Sequence, residues 1–200
     1  AALGMWAVKL HTMPLIVTSH LLLGLITFWV LFGLYLRVKP DRVRLTARQG
    51  PVSFVRFAMW ILFEQILLGG WTSTNLAALA CGADFPLCNG QWMPAMADFS
   101  SALNFFDGLL TGNTGILPPD AQVAVHWLHR VFAVVSFIVL SLVMLLATSA
   151  KHPKPVRRAG LKLSILLIVQ IGLGIAIVKL TAPLWAAVLH NAFAAVMMMP

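Results

Sequence analysis

The feature that most constrains this chain is a series of five apolar stretches, each long enough or nearly long enough to cross a lipid bilayer. A helix needs about 20 apolar residues to span the hydrocarbon core. The chain is 60% hydrophobic and 10% charged, a composition typical of membrane proteins. We therefore predict an all-α polytopic membrane protein with about five helices, near residues 14–36, 54–76, 122–149, 162–181 and 184–200.

The basic residues are distributed very unevenly along the chain. Six Lys and Arg lie in segment 37–56 and five more in segment 151–162, whereas none lies between Arg56 and Arg130. Loops rich in Lys and Arg stay on the cytoplasmic side of a membrane. We therefore predict that both segments are cytoplasmic, or face the matrix in an organelle, and that loop 77–121 is extracytoplasmic. The net charge of +8 then reflects topology, and we expect no nucleic-acid partner.

Both cysteines lie in this outer loop, within the segment CGADFPLC. Six residues separate Cys81 from Cys88, and an extracytoplasmic compartment permits disulfides. We interpret the pair as a structural disulfide in preference to a redox-active pair or a zinc site. The tryptophans near the same boundary are interpreted mostly as an interfacial belt; they are Trp71, Trp92, Trp127 and Trp185.

An internal repeat predicts how the helices are organised. Residues 3–20, LGMWAVKLHTMPLIVTSH, match residues 173–190, LGIAIVKLTAPLWAAVLH, at an offset of 170. The match spans an even number of membrane crossings, which predicts parallel repeats of four helices and eight helices in the complete protein. We expect 1–53 to be the last part of an N-terminal half (the end of its third helix, its fourth helix and a basic loop) and 54–200 to be the C-terminal half.

A shorter sequence pattern that ends in Leu-Gly also repeats along the chain. The pattern QIxLG occurs at 65–69 and again at 170–174. Small residues allow helix backbones to approach each other closely in a membrane. We expect such close approach where a helix finishes with Leu-Gly, at Gly4, Gly69 and Gly174.

Four histidines lie at one depth, within about seven residues of the outer ends of their helices: His20, His126, His129 and His190. Ionisable residues at that depth usually face a bundle interior and mark a site. One interpretation is that they only hydrogen-bond neighbouring helices. The other is that two of them bind a haem iron from facing helices, His190 together with either His126 or His129. Arg130 would then pair with a haem propionate.

Three segments carry a resemblance to a known family: QILLGGWTSTNLAALACGADFPLCNGQWMP, HWLHR and LHNAFAA, in this order. With these segments the whole chain resembles haem A synthases of the bacterial type. The resemblance implies a plasma-membrane oxidoreductase that converts haem O to haem A, a methyl-to-formyl oxidation, for haem–copper oxidase assembly. It implies as partners the lipid bilayer, the substrate haem O, haem O synthase, terminal-oxidase assembly factors and an electron acceptor that the sequence does not identify.

The resemblance also implies a role for each histidine. His129 and His190 are expected to bind the iron of haem b in the C-terminal half, with Arg130 beside it. His20 is expected to be a ligand-type residue of the substrate-haem site. His126 takes the place of a glutamate that is proposed to act in catalysis in the other half, and is expected beside the haem. That glutamate is not in this sequence, so no residue here is predicted to be catalytic.

Two other classes of function stay open at this point. One is a membrane subunit that transfers electrons through a bis-His haem without oxidising a substrate. The other is a structural or assembly membrane protein in which the histidines only join helices. A low-spin haem spectrum separates the last class from the other two.

Overall fold

The structure is a computed structural model that describes residues 2–10, 12–38 and 52–199. Within these ranges the chain forms helices and turns, with no β-strand. The α-helices are α1 (Ala2–Lys9), α2 (Pro14–Val38), α3 (Val52–Thr74), α4 (Phe99–Ala102), α5 (Asp107–Thr111), α6 (Pro119–Thr148), α7 (Lys154–Lys179) and α8 (Leu184–Met197). A 3-10 turn at Ala77–Leu79 follows α3. The predicted all-α class is confirmed.

Four of the described helices are long and apolar enough to cross a membrane: α2, α3, α6 and α7. The stretch predicted at 184–200 forms the shorter apolar helix α8, which has 14 residues. The helical content and these four spans make the chain a multi-pass membrane protein.

Two helices begin earlier than the apolar stretches predict. α6 begins at Pro119 and not at 122, because Pro118 and Pro119 preset the backbone of the first turn and Asp120 suits the positive end of a helix. α7 begins at Lys154, directly after Pro153, and not at 162. Most of the second basic segment therefore forms the first turns of a helix. Long basic side chains can reach water from a helix end, so hydropathy places the boundary too late.

The long helices pack mainly against their neighbours in the chain. α2 contacts α1 and α3, α6 contacts α3 and α7, and α7 contacts α8. One apolar cluster lies between α3, α6, α7 and α8; its buried members are Ala58, Leu62, Ile66, Leu140, Val143, Met144, Leu167 and Met197. These four helices therefore share one core. The division of the chain at residue 53 into parts of two halves stays a prediction, and most of segment 37–56 lies outside the described residues.

Loop 77–121, which we call the outer loop after the side predicted for it, packs onto the ends of α3 and α6. Trp71 is 1% exposed, and its indole Nε1 donates a hydrogen bond of 2.9 Å to the carbonyl of Ala102. Asn75 is buried as well; its side-chain nitrogen donates to the carbonyl of Trp71, and its oxygen accepts from the amide of Leu117 at 3.0 Å. The interpretation of Trp71 as part of an interfacial belt is wrong, because its ring forms the core beneath the loop.

The internal repeat is visible in the turns that follow α1 and α7. The amide of Thr12 donates to the carbonyl of Ala7 at 2.8 Å, and the amide of Ala182 donates to that of Ile177 at 2.7 Å. Both bonds join a residue to the fifth residue before it, as in the Schellman motif that ends many helices. The φ angle is 59° at Thr12 and 57° at Ala182. The offset of 170 residues thus relates two turns that share this hydrogen bond and this φ angle.

Thr181 provides a test of the strain in the second turn. Its φ is also 57°, where a residue with a Cβ is strained by about 1–2 kcal/mol. Thr181→Gly should therefore stabilise the protein and raise the midpoint of thermal unfolding in detergent by roughly 2–4 °C. Thr114 is also exposed but is not among the residues with positive φ, so Thr114→Gly should not raise the midpoint. Equal shifts in the two variants would contradict this account.

Candidate functional site

Three glycines near the outer ends of helices each face a histidine ring on another helix. The pairs are Gly4 of α1 with His20 of α2, Gly69 of α3 with His129 of α6, and Gly174 of α7 with His190 of α8. A methyl group added at the glycine would lie 3.5, 3.0 and 3.3 Å, respectively, from Cε1 of the imidazole. The nearest ring atom is the same in each pair, so the described chain makes one kind of contact three times.

This contact is more specific than the sequence predicted. Close approach of helix backbones was expected, whereas the space left by the missing side chain is filled by an aromatic ring. The spacing carried a signal for two pairs, because His20 follows Gly4 by 16 residues and His190 follows Gly174 by 16 residues. For the third pair it carried none, because the outer loop separates the glycine from its histidine.

Gln65 contacts the same imidazole as Gly69. It lies one helical turn earlier on α3, and its Nε2 is 3.1 Å from Nδ1 of His129 and 3.3 Å from the carbonyl oxygen of His129. Its Oε1 is buried without a hydrogen-bond partner. Because Gln65 engages Nδ1, Nε2 is the nitrogen of His129 left for another ligand.

The pair on α7 and α8 repeats part of this arrangement. Gln170 lies one helical turn before Gly174, and its backbone carbonyl lies beside the imidazole of His190. The side-chain Oε1 of Gln170 and the Nδ1 of His190 are both buried without a hydrogen-bond partner. Sequence reasoning found the QIxLG echo but missed that its glutamines lie at the histidines.

The structure brings together the C-terminal histidines that the sequence singled out. His129 is near enough to His190 and to His126 to interact with both electrostatically. His129 and His190 are half-buried, whereas His126 is 3% exposed. His20 is exposed on α2, where it packs against α1.

Both ring nitrogens of His126 face hydrogen-bond donors. Nδ1 lies 3.2 Å from the amide nitrogen of Cys81, and Nε2 lies 3.1 Å from Nε of Arg130. A neutral imidazole has one acceptor nitrogen, so it accepts from one of these donors at a time. His126 therefore ties α6 to the outer loop, and neither nitrogen points to open space.

Arg130 holds the same loop through its guanidinium group. Nη1 donates to the carbonyls of Asp84 and Leu87, at 2.9 and 2.7 Å, and the group lies 6.0 Å from the centre of the Phe85 ring. Nη2 is buried without a partner. The sequence did not predict the loop contacts, because backbone carbonyls carry no sequence signal.

Comparison with known proteins shows the family to which this chain belongs. The model of the COX15-CtaA family, cytochrome oxidase assembly protein, matches residues 1–199. The chain belongs to this family. It is 39% identical to a heme A synthase of Shewanella oneidensis, over 99% of this chain and 59% of that protein. It is 29% identical to one from Halalkalibacterium halodurans, over 76% of this chain and 43% of that protein. The chain thus spans about half the length of these relatives. No solved structure matches it.

In this member of the COX15-CtaA family the two cysteines form a disulfide. Cys81 and Cys88 are bonded, and both are buried against Val123 at the start of α6. The predicted disulfide is confirmed. Its structural role in preference to a redox role stays a prediction.

The unsatisfied polar atoms of the described residues gather around the two histidines of the C-terminal helices. Five buried side-chain atoms lack a hydrogen-bond partner, and four of them belong to Gln65, Arg130, Gln170 and His190. Native proteins leave few such atoms, because each one costs about 1–3 kcal/mol. A pair of imidazoles suits a planar cofactor that supplies the other metal ligands, and a buried guanidinium nitrogen suits a carboxylate. The residues present therefore fit a haem.

The contribution of the Arg130 hydrogen bonds to the stability of the outer loop can be tested by hydrogen exchange. Lys cannot reach two carbonyls and an imidazole with one ammonium group. Arg130→Lys should therefore accelerate exchange of the Cys88 and Asn89 amides, which bond within the loop, by about tenfold or more. Arg157→Lys, at an exposed position on α7, should leave these amides unchanged. Unchanged exchange in Arg130→Lys would show that Arg130 does not hold this part of the loop.

Proposed function

We propose that this chain is the haem-binding part of a haem A synthase-type oxidoreductase. Such an enzyme oxidises a ring methyl group of haem O to a formyl group, and the haem A product serves haem–copper oxidases. Membership of the COX15-CtaA family over residues 1–199 supports this, as does the relative that is 39% identical and named heme A synthase. Because the chain covers 59% of that relative, the activity belongs to the complete protein.

The matching surroundings of His129 on α6 and His190 on α8 are the observation that carries the cofactor assignment. Both rings are half-buried, and each occupies a gap left by a glycine of another helix. Imidazoles from facing helices commonly hold a haem within a helical bundle. We propose that these two residues would hold the iron of haem b, His129 through its Nε2 because Gln65 engages its Nδ1.

The residues around this pair support the same assignment. His126 is a poor candidate for a ligand, because its ring nitrogens face the donors of Cys81 and Arg130. The free Nη2 of Arg130 is suited to a haem propionate, since guanidinium groups form strong hydrogen bonds with carboxylates. Haem b would supply one-electron redox chemistry, while these residues orient it and balance its charge.

His20 is proposed as a ligand-type residue of the substrate-haem site. Its contact with Gly4 repeats the contacts made by the proposed haem b ligands, and the turn before it repeats the turn before α8. On this proposal 1–53 belongs to the N-terminal half and 54–200 forms the C-terminal half. The two halves would bind haem through similar helix pairs.

The proposed location is the bacterial plasma membrane. The basic segments 37–56 and 151–162 would lie in the cytoplasm, and loop 77–121, which contains the disulfide, would lie on the other side. The partners that follow from this function are the lipid bilayer, haem O, haem O synthase, oxidase assembly factors and an electron acceptor.

The ligand assignment predicts a clear difference between neighbouring histidines. In the complete protein, His129→Ala and His190→Ala should each lose the low-spin signal of haem b, because one axial imidazole is removed. His126→Ala should retain it, as should the control His152→Ala beyond the far end of α6. The reduced-minus-oxidised spectrum and the haem-to-protein ratio measure this. Loss of haem b in His126→Ala with retention in His129→Ala would show that the other histidine is the ligand.

The activity can be tested by haem analysis of membranes. A bacterium that makes haem O but lacks its own haem A synthase should accumulate haem A when it carries the complete gene, and haem O alone when it carries an empty vector. A stable low-spin haem protein without haem A would favour an electron-transfer subunit. Absence of both signals would favour a structural membrane protein, and either result would overturn the proposed activity.

A further inference from the structure

We propose that the two QIxLG segments, 65–69 on α3 and 170–174 on α7, are positioning elements that fix the imidazoles of His129 and His190 for a haem iron. In each segment the glycine makes room for the ring, and the glutamine one turn earlier lies beside it. This inference rests on the proposed haem site and adds four residues that act through the ligands.

The glycines set where each ring can lie. A Cβ at Gly69 would approach His129 Cε1 to 3.0 Å, and a Cβ at Gly174 would approach His190 Cε1 to 3.3 Å. Ordinary carbon contacts are about 3.5–4.0 Å, so a methyl group at either position would push the ring away. An unligated ring can give way by turning aside, whereas a ring bound to iron cannot. The cost of a methyl group should therefore appear in haem binding more than in folding.

The glutamines set how each ring is turned. Gln65 lies 3.1 Å from Nδ1 of His129, and a side-chain amide offers both a donor and an acceptor. When Nε2 binds iron, Nδ1 carries a proton, and the unpartnered Oε1 of Gln65 can accept it after the amide turns. Such a bond fixes the ring plane and raises the basicity of the ligand. Gln170 holds the equivalent place in the second segment: its backbone carbonyl lies beside the imidazole of His190, and its Oε1 is also unpartnered.

The same helices provide matched controls for the glycines. A Cβ at Gly172, two residues before Gly174 on α7, would meet nothing within 4 Å. A Cβ at Gly70, next to Gly69 on α3, would meet Leu21 at 3.2 Å and no histidine. Gly172→Ala therefore tests an added methyl alone, and Gly70→Ala tests helix crowding without contact with a proposed ligand.

The first experiment measures haem b in the complete protein by its reduced-minus-oxidised spectrum, by its haem-to-protein ratio and by the g-values of its ferric EPR signal. Gly69→Ala and Gly174→Ala should retain haem about tenfold less strongly and shift the g-values, because the ring planes turn. The shift should be larger for Gly69→Ala, where the space is tighter. Gly172→Ala and Gly70→Ala should keep the g-values of the unaltered protein, even if Gly70→Ala lowers the unfolding midpoint.

The second experiment measures the midpoint potential of haem b. Gln65→Leu should raise it, because a less basic imidazole stabilises ferric iron less. Gln65→Glu should lower it, because a carboxylate is a stronger acceptor for the Nδ1 proton. Gln122 bonds instead to the carbonyl of Leu117 at the start of α6, so Gln122→Leu should leave the potential unchanged.

The outcomes separate this inference from the proposed function. If the unaltered complete protein shows no low-spin haem, the proposed haem site fails. If it does, and the glycine and glutamine variants keep its g-values, potential and haem content, the positioning role is overturned while the haem site stands. A raised potential in Gln65→Leu beside an unchanged potential in Gln122→Leu supports a role at the ring, since Gln122 bonds to a backbone carbonyl and not to the histidine.

Discussion

The contact between a histidine ring and a glycine of a neighbouring helix is the interaction on which the outer part of this structure depends. An imidazole in a membrane helix gains by packing against a neighbouring helix, because lipid offers no polar partner. Its ring can pack closely against a neighbouring helix only where that helix has a glycine, which leaves room for the ring. Each pair therefore fixes the rotation of two helices and their relative depth. The contact joins α1 to α2, α3 to α6 and α7 to α8, and each of these pairs also packs together through other residues.

The side chains of the HWLHR motif lie on two different faces of α6. His126 and Arg130 are four residues apart and share one helix face. That face points to the outer loop, where Arg130 holds the carbonyls of Asp84 and Leu87. His129 lies on the face toward α3, against Gly69 and Gln65. One helical turn thus joins the disulfide-bonded loop to the proposed haem ligand, so the loop is part of the support for the site.

Much of this arrangement could be predicted from the sequence, and the exceptions share a physical cause. Length and hydropathy predicted the long helices, and the internal repeat found in the sequence is matched by similar turns after α1 and α7. The start of α7 at Lys154 was missed, because a basic segment can be helical when its side chains reach water. The burial of Trp71 and the pairing of Gly69 with His129 depend on how the outer loop folds back. Such contacts join distant residues, and no local pattern records them.

The repeated contact identifies a pair of helices as a structural unit that recurs in the described chain. Within 54–200 the glycine–histidine contact occurs twice, once between α3 and α6 and once between α7 and α8, and both times a glutamine precedes the glycine by one turn. In each of these two helix pairs, one helix supplies the glycine and the other supplies the imidazole. The pairs differ in their connection, which is a short turn between α7 and α8 but the whole outer loop between α3 and α6. Of these two pairs, only α3 and α6 are connected by a loop that His126 and Arg130 can hold. This connection explains why those residues stand beside His129 and have no equivalent beside His190.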